Sequence, residues 1–450
     1  MLTDVIAAPA TPLGQSAIAV VRVSGRGAHQ VAASVLNPFE KDPARTARRS
    51  KVVHPTDGEI LDEVVYVSYT GPVSYTGEDM VEISTHGGLL VPGEVMVALM
   101  TAGAREAMPG EFTRRALLNG KVDLIQAEAV GDLVAATTSG QRRAALGQLE
   151  RGLSSKVDSL REQVLELETL CCYEIDFPEE DSGPISPQRI SDAIEVVRSS
   201  LLELLATAEA GERLKEGAIC VIAGPPNVGK STLFNELLGT NRAIVTETPG
   251  TTRDAIEAPA TFDGFPFRLV DTAGIRDTTE DVERIGVEVS HRYLDKADIV
   301  LYCIDATTEE TADWLDLVRN LDKPYLVVRT KTDLLGQEDQ LESRPGSVNV
   351  SALTGAGLSE LREELVGSMF TVLGSTMGDD PIVTRARHRV ALETALAEVG
   401  EFASTRAAGI ETAVAATHLR AAVSALESLV GLVTPEDVLD RVFSNFCVGK

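Results

Sequence analysis

A glycine-rich octapeptide at residues 224–231 constrains the fold of this chain more than any other stretch. Its sequence, Gly-Pro-Pro-Asn-Val-Gly-Lys-Ser, fits the phosphate-loop pattern of Gly, four residues and then Gly-Lys-Ser. An apolar run at 218–223 predicts a buried strand before it, and residues 232–238 predict a helix after it. Such a turn directs backbone N–H groups and a helix N-terminus at a polyphosphate. The stretch therefore predicts a nucleoside triphosphate site, with Lys230 on the outer phosphates and Ser231 on Mg²⁺.

Length and composition indicate a protein of several globular domains. A chain of 450 residues is too long for a single core, so two to four domains are expected. Neither a signal peptide nor a membrane-spanning apolar run is recognisable, and we expect a cytoplasmic protein with no membrane partner. The five cysteines form no Cys-x-x-Cys pair, and an odd count is typical of reduced thiols. A net charge of −27 disfavours broad electrostatic capture of nucleic acid, so such a substrate would need a local basic surface or a partner.

The hydrophobic periodicity divides the chain into four segments. Residues 1–119 contain runs rich in β-branched residues between Gly and Pro turns, and they predict an α/β domain. Apolar residues at steps of three and four predict helices in 120–213, with one long helix through 146–167, and again in 373–450. Short strands alternate with helices in 214–372, the pattern of a parallel α/β domain. The predicted fold class is therefore multidomain α/β and all-α, with an α/β domain inserted into a discontinuous helical domain.

Two motifs that follow the phosphate loop predict a guanine nucleotide. Asp271 ends a predicted strand and would hold Mg²⁺ through water, while Gly274 could contact the γ-phosphate. Asp333 follows another strand, and its carboxylate can accept protons from the ring N–H and the exocyclic amine of guanine. Adenine presents an acceptor at the ring position, so the carboxylate discriminates against it. The Ser-Ala-Leu stretch at 351–353 would support the base, and the chain is predicted to be a GTPase.

Two residues in these motifs allow more than one interpretation. The base-binding motif commonly begins with Asn, but Thr330 stands there and removes an amide that ties loops together. This departure alone suggests a further alternative, a scaffold protein whose GTPase activity has decayed. Asn227 in the phosphate loop is either a turn residue that tolerates left-handed backbone geometry or an amide ligand for a monovalent cation beside the phosphates. Spacing alone does not decide between these roles.

The residue that positions the attacking water is not at its common place. GTPases often carry a Gln directly after the Asp-x-x-Gly element, but this chain has Ile275, which cannot orient a water molecule. The loop at 276–286 is acidic and contains Glu280, Asp281 and Glu283. One of these carboxylates is therefore the candidate for positioning the water.

Six sequence blocks occur in the order that is typical of one family. They lie at residues 19–25, 75–82, 109–116, 118–121, 174–178 and 446–450. Over essentially its whole length, the chain resembles the MnmE (TrmE) family of tRNA-modification GTPases. The resemblance implies an N-terminal α/β domain that dimerises and binds 5-formyltetrahydrofolate or a related one-carbon folate. It also implies a helical domain in two halves and an inserted P-loop G domain of the Ras-like class.

The resemblance assigns ligands to particular residues. Those that match the family's folate contacts are Arg22, Glu82, Lys121 and Lys450. Those that match its potassium ligands are Asn227, Thr246, Thr248 and Thr251, and those that match its magnesium ligands are Ser231 and Thr252. Potassium would offset transition-state charge in place of an arginine finger. In the family, pairing of two G domains across the nucleotide orders the potassium loop.

The motifs and the resemblance together define the expected nucleotide and catalytic residues. The nucleotide-binding set comprises Asn227, Val228, Gly229, Lys230, Ser231, Thr232, Thr246, Glu247, Thr248, Pro249, Gly250, Thr251, Thr252, Asp271, Thr272, Ala273, Gly274, Thr330, Lys331, Asp333, Ser351, Ala352 and Leu353. The catalytic set comprises Lys230, Glu283 (which matches the family's water-orienting glutamate) and Cys447. Cys447 is either a small apolar residue in a docked tail or a thiol with redox or covalent chemistry.

The resemblance implies a potassium-dependent GTPase that acts on tRNA. It would work with the FAD-dependent protein MnmG (GidA), in a heterotetramer, to install a carboxymethylaminomethyl or aminomethyl-type group at C5 of the wobble uridine. Folate would supply the one-carbon unit, and hydrolysis of GTP to GDP would drive a conformational change. The alternative is a GTP-switched ribosome-assembly or translation factor without modification chemistry. An appended basic RNA-binding module would favour that alternative, and the sequence shows none.

Overall fold

The computed structural model divides the chain into two compact units. The first comprises Met1–Gly131, Leu149–Val157 and Leu426–Lys450, and the second comprises Asp132–Gln148 and Asp158–Ala425. The described residues are 4–12, 14–41, 45–176, 186–239, 256–271, 293–308, 323–335, 346–373, 381–433, 435–444 and 446–449. Within those ranges, no helix combines the length and the apolar character that crossing a bilayer requires.

The helices described in the two units are as follows. In chain order they are α1 (Ala28–Val35), α2 (Val91–Thr101), α3 (Glu111–Leu118), α4 (Leu124–Ala135), α5 (Ser139–Leu149), α6 (Gly152–Asp176), α7 (Pro187–Leu205), α8 (Ala208–Glu216), α9 (Lys230–Gly239), α10 (Leu358–Leu373), α11 (Ala386–Ala407), α12 (Thr412–Val430) and α13 (Glu436–Phe443). A short 3₁₀ helix covers Thr332–Leu334.

The first unit is built on a seven-stranded sheet. Its strands are β1 (Ile6–Pro9), β2 (Gly14–Ser24), β3 (Leu36–Asn37), β4 (Arg48–Val53), β5 (Ile60–Tyr69), β6 (Met80–Gly88) and β7 (Arg105–Glu106). They lie in the order β3-β4-β5-β6-β2-β1-β7, and neighbours are antiparallel except β1 and β7. The predicted α/β character of this part of the chain is confirmed.

Alternation along β2 gives this sheet two different faces. Ala19, Val21 and Val23 are buried, and the sheet packs this face against α1 and α2. The residues between them point to the opposite face, where Ile18 is 61% exposed and Arg22 lies opposite Glu82 of β6. Because side chains alternate with a period of two, the outer face carries both apolar and charged groups.

A buried ion cluster joins three parts of the first unit. The Arg115 side chain is 1% exposed, and its Nη2 donates to Asp4 Oδ1 at 3.0 Å and to Glu111 Oε1 at 2.9 Å. Its Nη1 donates to the Asp4 carbonyl oxygen at 2.8 Å and to Glu78 Oε2 at 3.1 Å. Burial disfavours the charged form of Glu111, but hydrogen bonds from Arg105, the Met108 N–H and Arg115 outweigh it and lower its pKa. The cluster ties β1, the β5–β6 loop and α3 together.

The second unit contains a six-stranded, mostly parallel sheet. Its strands are β8 (Ala218–Ala223), β9 (Ile256–Phe262), β10 (Phe265–Asp271), β11 (Ile299–Asp305), β12 (Tyr325–Thr330) and β13 (Ser347–Asn349). The order is β13-β12-β11-β8-β10-β9, and only β9 runs antiparallel to its neighbour. The predicted parallel α/β domain is confirmed, and ligands of such sheets bind at the carboxyl ends of the strands.

Helices that precede and follow this sheet in sequence pack on each other within the second unit. Helix α7 packs against α11. Arg406 of α11 donates to both carboxylate oxygens of Glu174 in α6, at 2.6 and 3.2 Å, and Arg420 of α12 donates to Glu168. The discontinuous helical domain of the predicted fold class is confirmed, whereas the predicted boundaries at 119, 213 and 372 stay predictions.

One predicted helix is wrong. The apolar period through 146–167 predicts a continuous helix, but α5 ends at Leu149 and α6 begins at Gly152. Arg151 between them has φ of 68°, a left-handed backbone that ends a right-handed helix. The leucine spacing happens to continue across this break, so periodicity alone does not detect it.

We predict that Arg115→Met strongly destabilises the first unit. The substitution leaves Glu111 and Glu78 without their buried cation, and removing one partner of a buried ion pair costs about 3–5 kcal/mol. Hydrogen exchange of β2 and β6 amides measures the opening of this unit by itself. The matched control is Arg49→Met. Arg49 also pairs with a carboxylate, that of Glu63, but the Arg49 side chain is 78% exposed. Equal protection in both variants would contradict a supporting role for the buried cluster.

Candidate functional site

The phosphate loop connects β8 to α9 by a turn that requires glycine at its first position. Gly224 has φ of 141°, and a Cβ there would lie 2.2 Å from the carbonyl oxygen of Cys303 in β11. No other residue fits so close to a neighbouring strand. Asn227 has φ of 61°, so it does adopt the left-handed turn geometry expected of one of its two interpretations. The φ angle does not bear on the other interpretation, so the role of Asn227 as a cation ligand stays a prediction.

Lys230 begins α9 and folds back over the loop. Its side chain is buried, and Nζ donates to the carbonyl oxygens of Gly224 at 3.0 Å and Pro225 at 2.7 Å. These contacts hold the ammonium group above the turn, where the outer phosphates of a nucleotide would compete for the same donors. Ser231 and Thr232, which follow it at the helix start, are exposed.

Thr330 ties the base-binding element to the phosphate loop. Its hydroxyl lies 2.5 Å from the carbonyl oxygen of Val228 and 3.0 Å from that of Ile304, and the residue is buried. The amide that is common at this position is absent, as the sequence indicates, and the Thr330 hydroxyl links the two loops in its place. A single hydroxyl proton can serve only one of the two carbonyls at a time.

The base-binding element is held by two further contacts. Lys331 has φ of 58°, and its Nζ donates to Asp305 Oδ2 at 2.7 Å. Burial disfavours the charged form of Asp305, but hydrogen bonds from Lys331 and Thr307 outweigh it and lower its pKa. Asp333 accepts from the Ser351 hydroxyl at 2.6 Å, so the stretch at 351–353 does reach the predicted guanine-binding carboxylate.

The remaining residues of the predicted nucleotide site are buried, partly or largely exposed, or outside the described part of the chain. Asp271 is buried at the carboxyl end of β10, as predicted for a residue near Mg²⁺. Leu353 is 83% exposed and Ala352 is half-buried. The predicted residues that lie outside the described part of the chain are Thr246, Glu247, Thr248, Pro249, Gly250, Thr251, Thr252, Thr272, Ala273, Gly274, Glu283 and Lys450.

On the outer face of the first unit's sheet, Arg22 and Glu82 meet as a cross-strand pair. Arg22 Nε and Nη2 both donate to Glu82 Oε1, at 3.0 and 2.8 Å. The second oxygen of Glu82 accepts from the Tyr69 hydroxyl at 3.2 Å. Burial and the nearby charge of Glu82 raise the pKa of Tyr69, so it stays a donor at neutral pH. This arrangement places cationic donors and a carboxylate acceptor side by side.

Aromatic rings and the C-terminal tail complete the surroundings of Arg22. Its guanidinium carbon lies 5.5 Å from the ring centre of Tyr75 and 5.7 Å from that of Phe112. Its Nη1 donates to the carbonyl oxygen of Gly449 at 3.2 Å. Gly449 itself fits closely on β1, since a Cβ there would lie 2.1 Å from the Pro9 carbonyl oxygen. The C-terminal tail therefore contacts Arg22 through Gly449, the residue that precedes Lys450.

The two other expected functional residues of the first unit differ in their surroundings. Lys121 is exposed, and its Nζ donates to the carbonyl oxygen of Pro72 in the β5–β6 loop at 3.0 Å. The Cys447 side chain is exposed, and both interpretations of it, a small apolar residue in a docked tail and a reactive thiol, stay predictions. The tail is held by its backbone, where the Cys447 carbonyl oxygen accepts from the Gly110 N–H, and by the ring of Phe446 over Gly131.

Sequence reasoning missed four residues that shape these sites. They are Tyr69, Tyr75, Phe112 and Asp305. Tyr75 and Phe112 lie inside two of the sequence blocks that are typical of the family, and this membership could have marked them as residues of the site. Asp305 ends β11, and an acidic residue at the carboxyl end of a parallel strand was the signal for it.

We predict that Thr330→Val weakens GTP binding by about tenfold, while Thr330→Ser leaves it within about twofold. Valine keeps the shape of the side chain but cannot donate to the Val228 or Ile304 carbonyl oxygens, so the phosphate loop loses its link to β12. Titration of each variant with a fluorescent GTP analogue measures the affinity. Unchanged binding by Thr330→Val would show that the hydroxyl does not position the loop.

Two family models match most of this chain. The family model of the MnmE helical domain matches residues 124–447, and that of the N-terminus of the GTP-binding protein TrmE matches residues 5–121. Among solved structures, the G domain of the T. maritima FeoB iron transporter is 30% identical, covers 34% of this chain and 98% of its own, and has a TM-score of 0.26.

Full-length relatives extend the similarity to both units. The tRNA modification GTPase MnmE of Aquifex aeolicus is 42% identical over 453 residues, which cover 100% of both chains. The protein of the same name from Heliobacterium modesticaldum is 41% identical with 100% of both chains covered. That from Thermotoga maritima is 40% identical and covers 99% of this chain and 100% of its own. The chain belongs to the MnmE family.

Proposed function

We propose that this protein hydrolyses GTP and acts in tRNA modification, the activity that its relatives carry in their names. The proposal rests on one observation: hydrogen bonds hold the phosphate loop and the base-binding element in place next to each other. The Thr330 hydroxyl holds the Val228 carbonyl oxygen, and the Ser351 hydroxyl orients the Asp333 carboxylate. A nucleotide with its phosphates on the loop would present its base to that carboxylate, and guanine supplies the two donors that it accepts.

The residues of the loop would bind and polarise the triphosphate. Lys230 would exchange its contacts with the Gly224 and Pro225 carbonyl oxygens for phosphate oxygens. The exposed Ser231 hydroxyl at the start of α9 would join Thr252 on Mg²⁺, and Asp271 would hold that ion through water. When bound, Mg²⁺ neutralises charge that develops on the phosphate oxygens during transfer.

We also propose that hydrolysis depends on potassium. Asn227 stands in the left-handed turn of the loop with an exposed side chain, which leaves its amide oxygen accessible. With Thr246, Thr248 and Thr251 it would supply uncharged oxygens to K⁺ beside the phosphates. Glu283 would orient the attacking water, because Ile275 stands where GTPases commonly have Gln.

We predict that GTP turnover is faster in potassium chloride than in sodium chloride of equal ionic strength, and that Asn227→Ala loses this difference. The expected loss is on the order of 100-fold, the effect of one well-placed group that stabilises transition-state charge. Phosphate release at saturating GTP measures it. Asn235→Ala is the matched control, since Asn235 is exposed on α9 outside the loop. Equal turnover of wild type in the two salts would contradict the potassium mechanism.

The same variant separates tRNA modification from a GTP-switched role in ribosome assembly. Cells that carry Asn227→Ala in place of the wild-type gene should lose the C5-modified wobble uridine from their tRNA, as measured by mass spectrometry of nucleosides. Their ribosomal subunit profiles should stay normal. A ribosome defect with intact wobble uridine would favour the switched-factor function instead.

The outer face of the first unit fits a folate. Glu82 offers an acceptor for the amino and ring N–H groups of a pterin, and Arg22 beside it offers donors for the ring carbonyl. The rings of Tyr75 and Phe112 lie next to this pair, so a flat ring system finds both polar and aromatic neighbours. Lys121 and Lys450 would contact the glutamate tail. When bound, 5-formyltetrahydrofolate or a related folate would supply a one-carbon unit. The exposed Cys447 thiol would be the candidate group for redox or covalent chemistry in the tail.

We predict that Arg22→Met lowers the affinity for 5-formyltetrahydrofolate by about tenfold or more, because a charge-assisted hydrogen bond is lost. Isothermal titration of the full chain measures the affinity. Arg49→Met is again the control, since it removes an exposed arginine from the same sheet. Equal affinities of the two variants would locate the folate site elsewhere.

Two partners complete the proposal. The outer sheet face leaves Ile18, Ile60 and Val65 exposed, and Leu89 and Leu90 follow β6, so a second copy of this chain could bury them in a homodimer. MnmG, the FAD-dependent partner, would form a heterotetramer with that dimer. Because this chain has a net charge of −27, a more basic partner would carry most of the contact with tRNA.

A further inference from the structure

The two halves of the nucleotide site lie at the ends of strands that are not neighbours. The phosphate loop follows β8 and Asp333 follows β12, and β11 lies between these strands in the sheet. Neighbouring strands are about 4.8 Å apart, so the two strand ends are separated by about 10 Å. A nucleotide with its phosphates on the loop and its base at Asp333 therefore crosses the carboxyl end of β11. Asp305 is the last residue of that strand.

An ion pair joins β11 and β12 at this crossing. Asp305 Oδ2 accepts from Lys331 Nζ at 2.7 Å, and the Asp305 side chain is 14% exposed. The other carboxylate oxygen, Oδ1, accepts from the Thr307 N–H at 3.0 Å and from the Thr307 hydroxyl at 2.7 Å. The loop after β11 thus fixes the carboxylate through one oxygen, and the second oxygen holds the lysine.

The Lys331 side chain is fixed at both of its ends. Its backbone is left-handed, with φ of 58°, and its ammonium group is held by Asp305. The four-carbon stem connects these two points, and the side chain is 35% exposed. An unrestrained lysine would lose rotamer entropy when a nucleotide packed on it, whereas this stem is ordered in advance. Its apolar surface suits the flat face of a base.

We propose that Asp305 is a positioning residue for guanine nucleotides and acts through Lys331. It anchors the ammonium group so that the lysine stem supports the base and the ribose, and it contacts no nucleotide atom itself. Lys331 in turn neutralises the Asp305 carboxylate, which would otherwise repel the anionic phosphates. The inference rests on the proposed function, because it requires that the phosphate loop and Asp333 bind one nucleotide.

Asp305→Asn tests this role because it keeps the shape of the side chain. The asparagine oxygen can still accept from Thr307, but its amide nitrogen faces the Lys331 ammonium group, so the anchoring bond is lost. We expect the variant to bind a fluorescent GTP analogue about tenfold more weakly, with kcat at saturating GTP within about twofold of wild type. Asp263→Asn is the matched control, since Asp263 is exposed in the turn between β9 and β10 of the same sheet. Unchanged affinity of Asp305→Asn would overturn the proposal.

A double variant tests whether Asp305 acts through Lys331. Lys331→Met removes the ammonium group that Asp305 anchors. In that background, Asp305→Asn should cause no further loss of affinity for the GTP analogue, because the two substitutions break the same bond. Losses that multiply in the double variant would overturn the route through Lys331.

Inosine triphosphate separates positioning from general damage to the base-binding element. It lacks the exocyclic amine that Asp333 would accept from, so the ratio of the GTP and inosine triphosphate affinities measures the contacts of Asp333 alone. Asp305→Asn should weaken both nucleotides by the same factor and leave this ratio unchanged. A smaller ratio would show that the substitution displaces Asp333 and would overturn the proposal. Wild-type protein that binds neither nucleotide would contradict the proposed function together with this inference.

Discussion

Arg115 carries a guanidinium charge into the interior of the first unit, and three carboxylates converge on it. Asp4 precedes β1, Glu78 lies in the β5–β6 loop and Glu111 begins α3. Because an unpaired buried charge is very unfavourable, these segments have to meet for the unit to fold. The same loop carries Tyr75 beside Arg22, so the buried cluster also fixes the loop that borders the outer sheet face. This accounts physically for two of the sequence blocks that identify the family.

The nucleotide site depends on contacts between neighbouring parallel strands rather than on one loop. Gly224 fits against the Cys303 carbonyl oxygen, Thr330 reaches Val228, and Lys331 reaches Asp305. Each contact joins the carboxyl ends of β8, β11 or β12. The strand order therefore brings the phosphate and base elements together, and a hydroxyl at residue 330 serves where an amide is more common.

The elements that could be predicted are those with a local signal. The phosphate loop is a contiguous pattern, and the strands alternate or form short apolar runs whose period is visible in the sequence. The break at Arg151 was missed because the leucine period continues across it. The Thr330 contact was missed because its partner, Val228, is 102 residues away, and a hydroxyl donates to any carbonyl that the fold brings near. The exposure of Cys447 likewise depends on how the tail docks, which no local pattern specifies.

The docking of the tail has a consequence for biosynthesis. Arg22 and the Gly449 carbonyl oxygen that it contacts are 427 residues apart, and both belong to the first unit. The last strand of the sheet ends at Glu106, and a ribosome adds about 5–20 residues per second, so the sheet is synthesised roughly 20–70 seconds before the tail residues that contact Arg22. During that interval the sheet can pair its strands, but the Arg22 site lacks one wall. Translation therefore completes the surroundings of Arg22 only when nearly the whole chain has been made, and a truncated product lacks the contact with the Gly449 carbonyl oxygen.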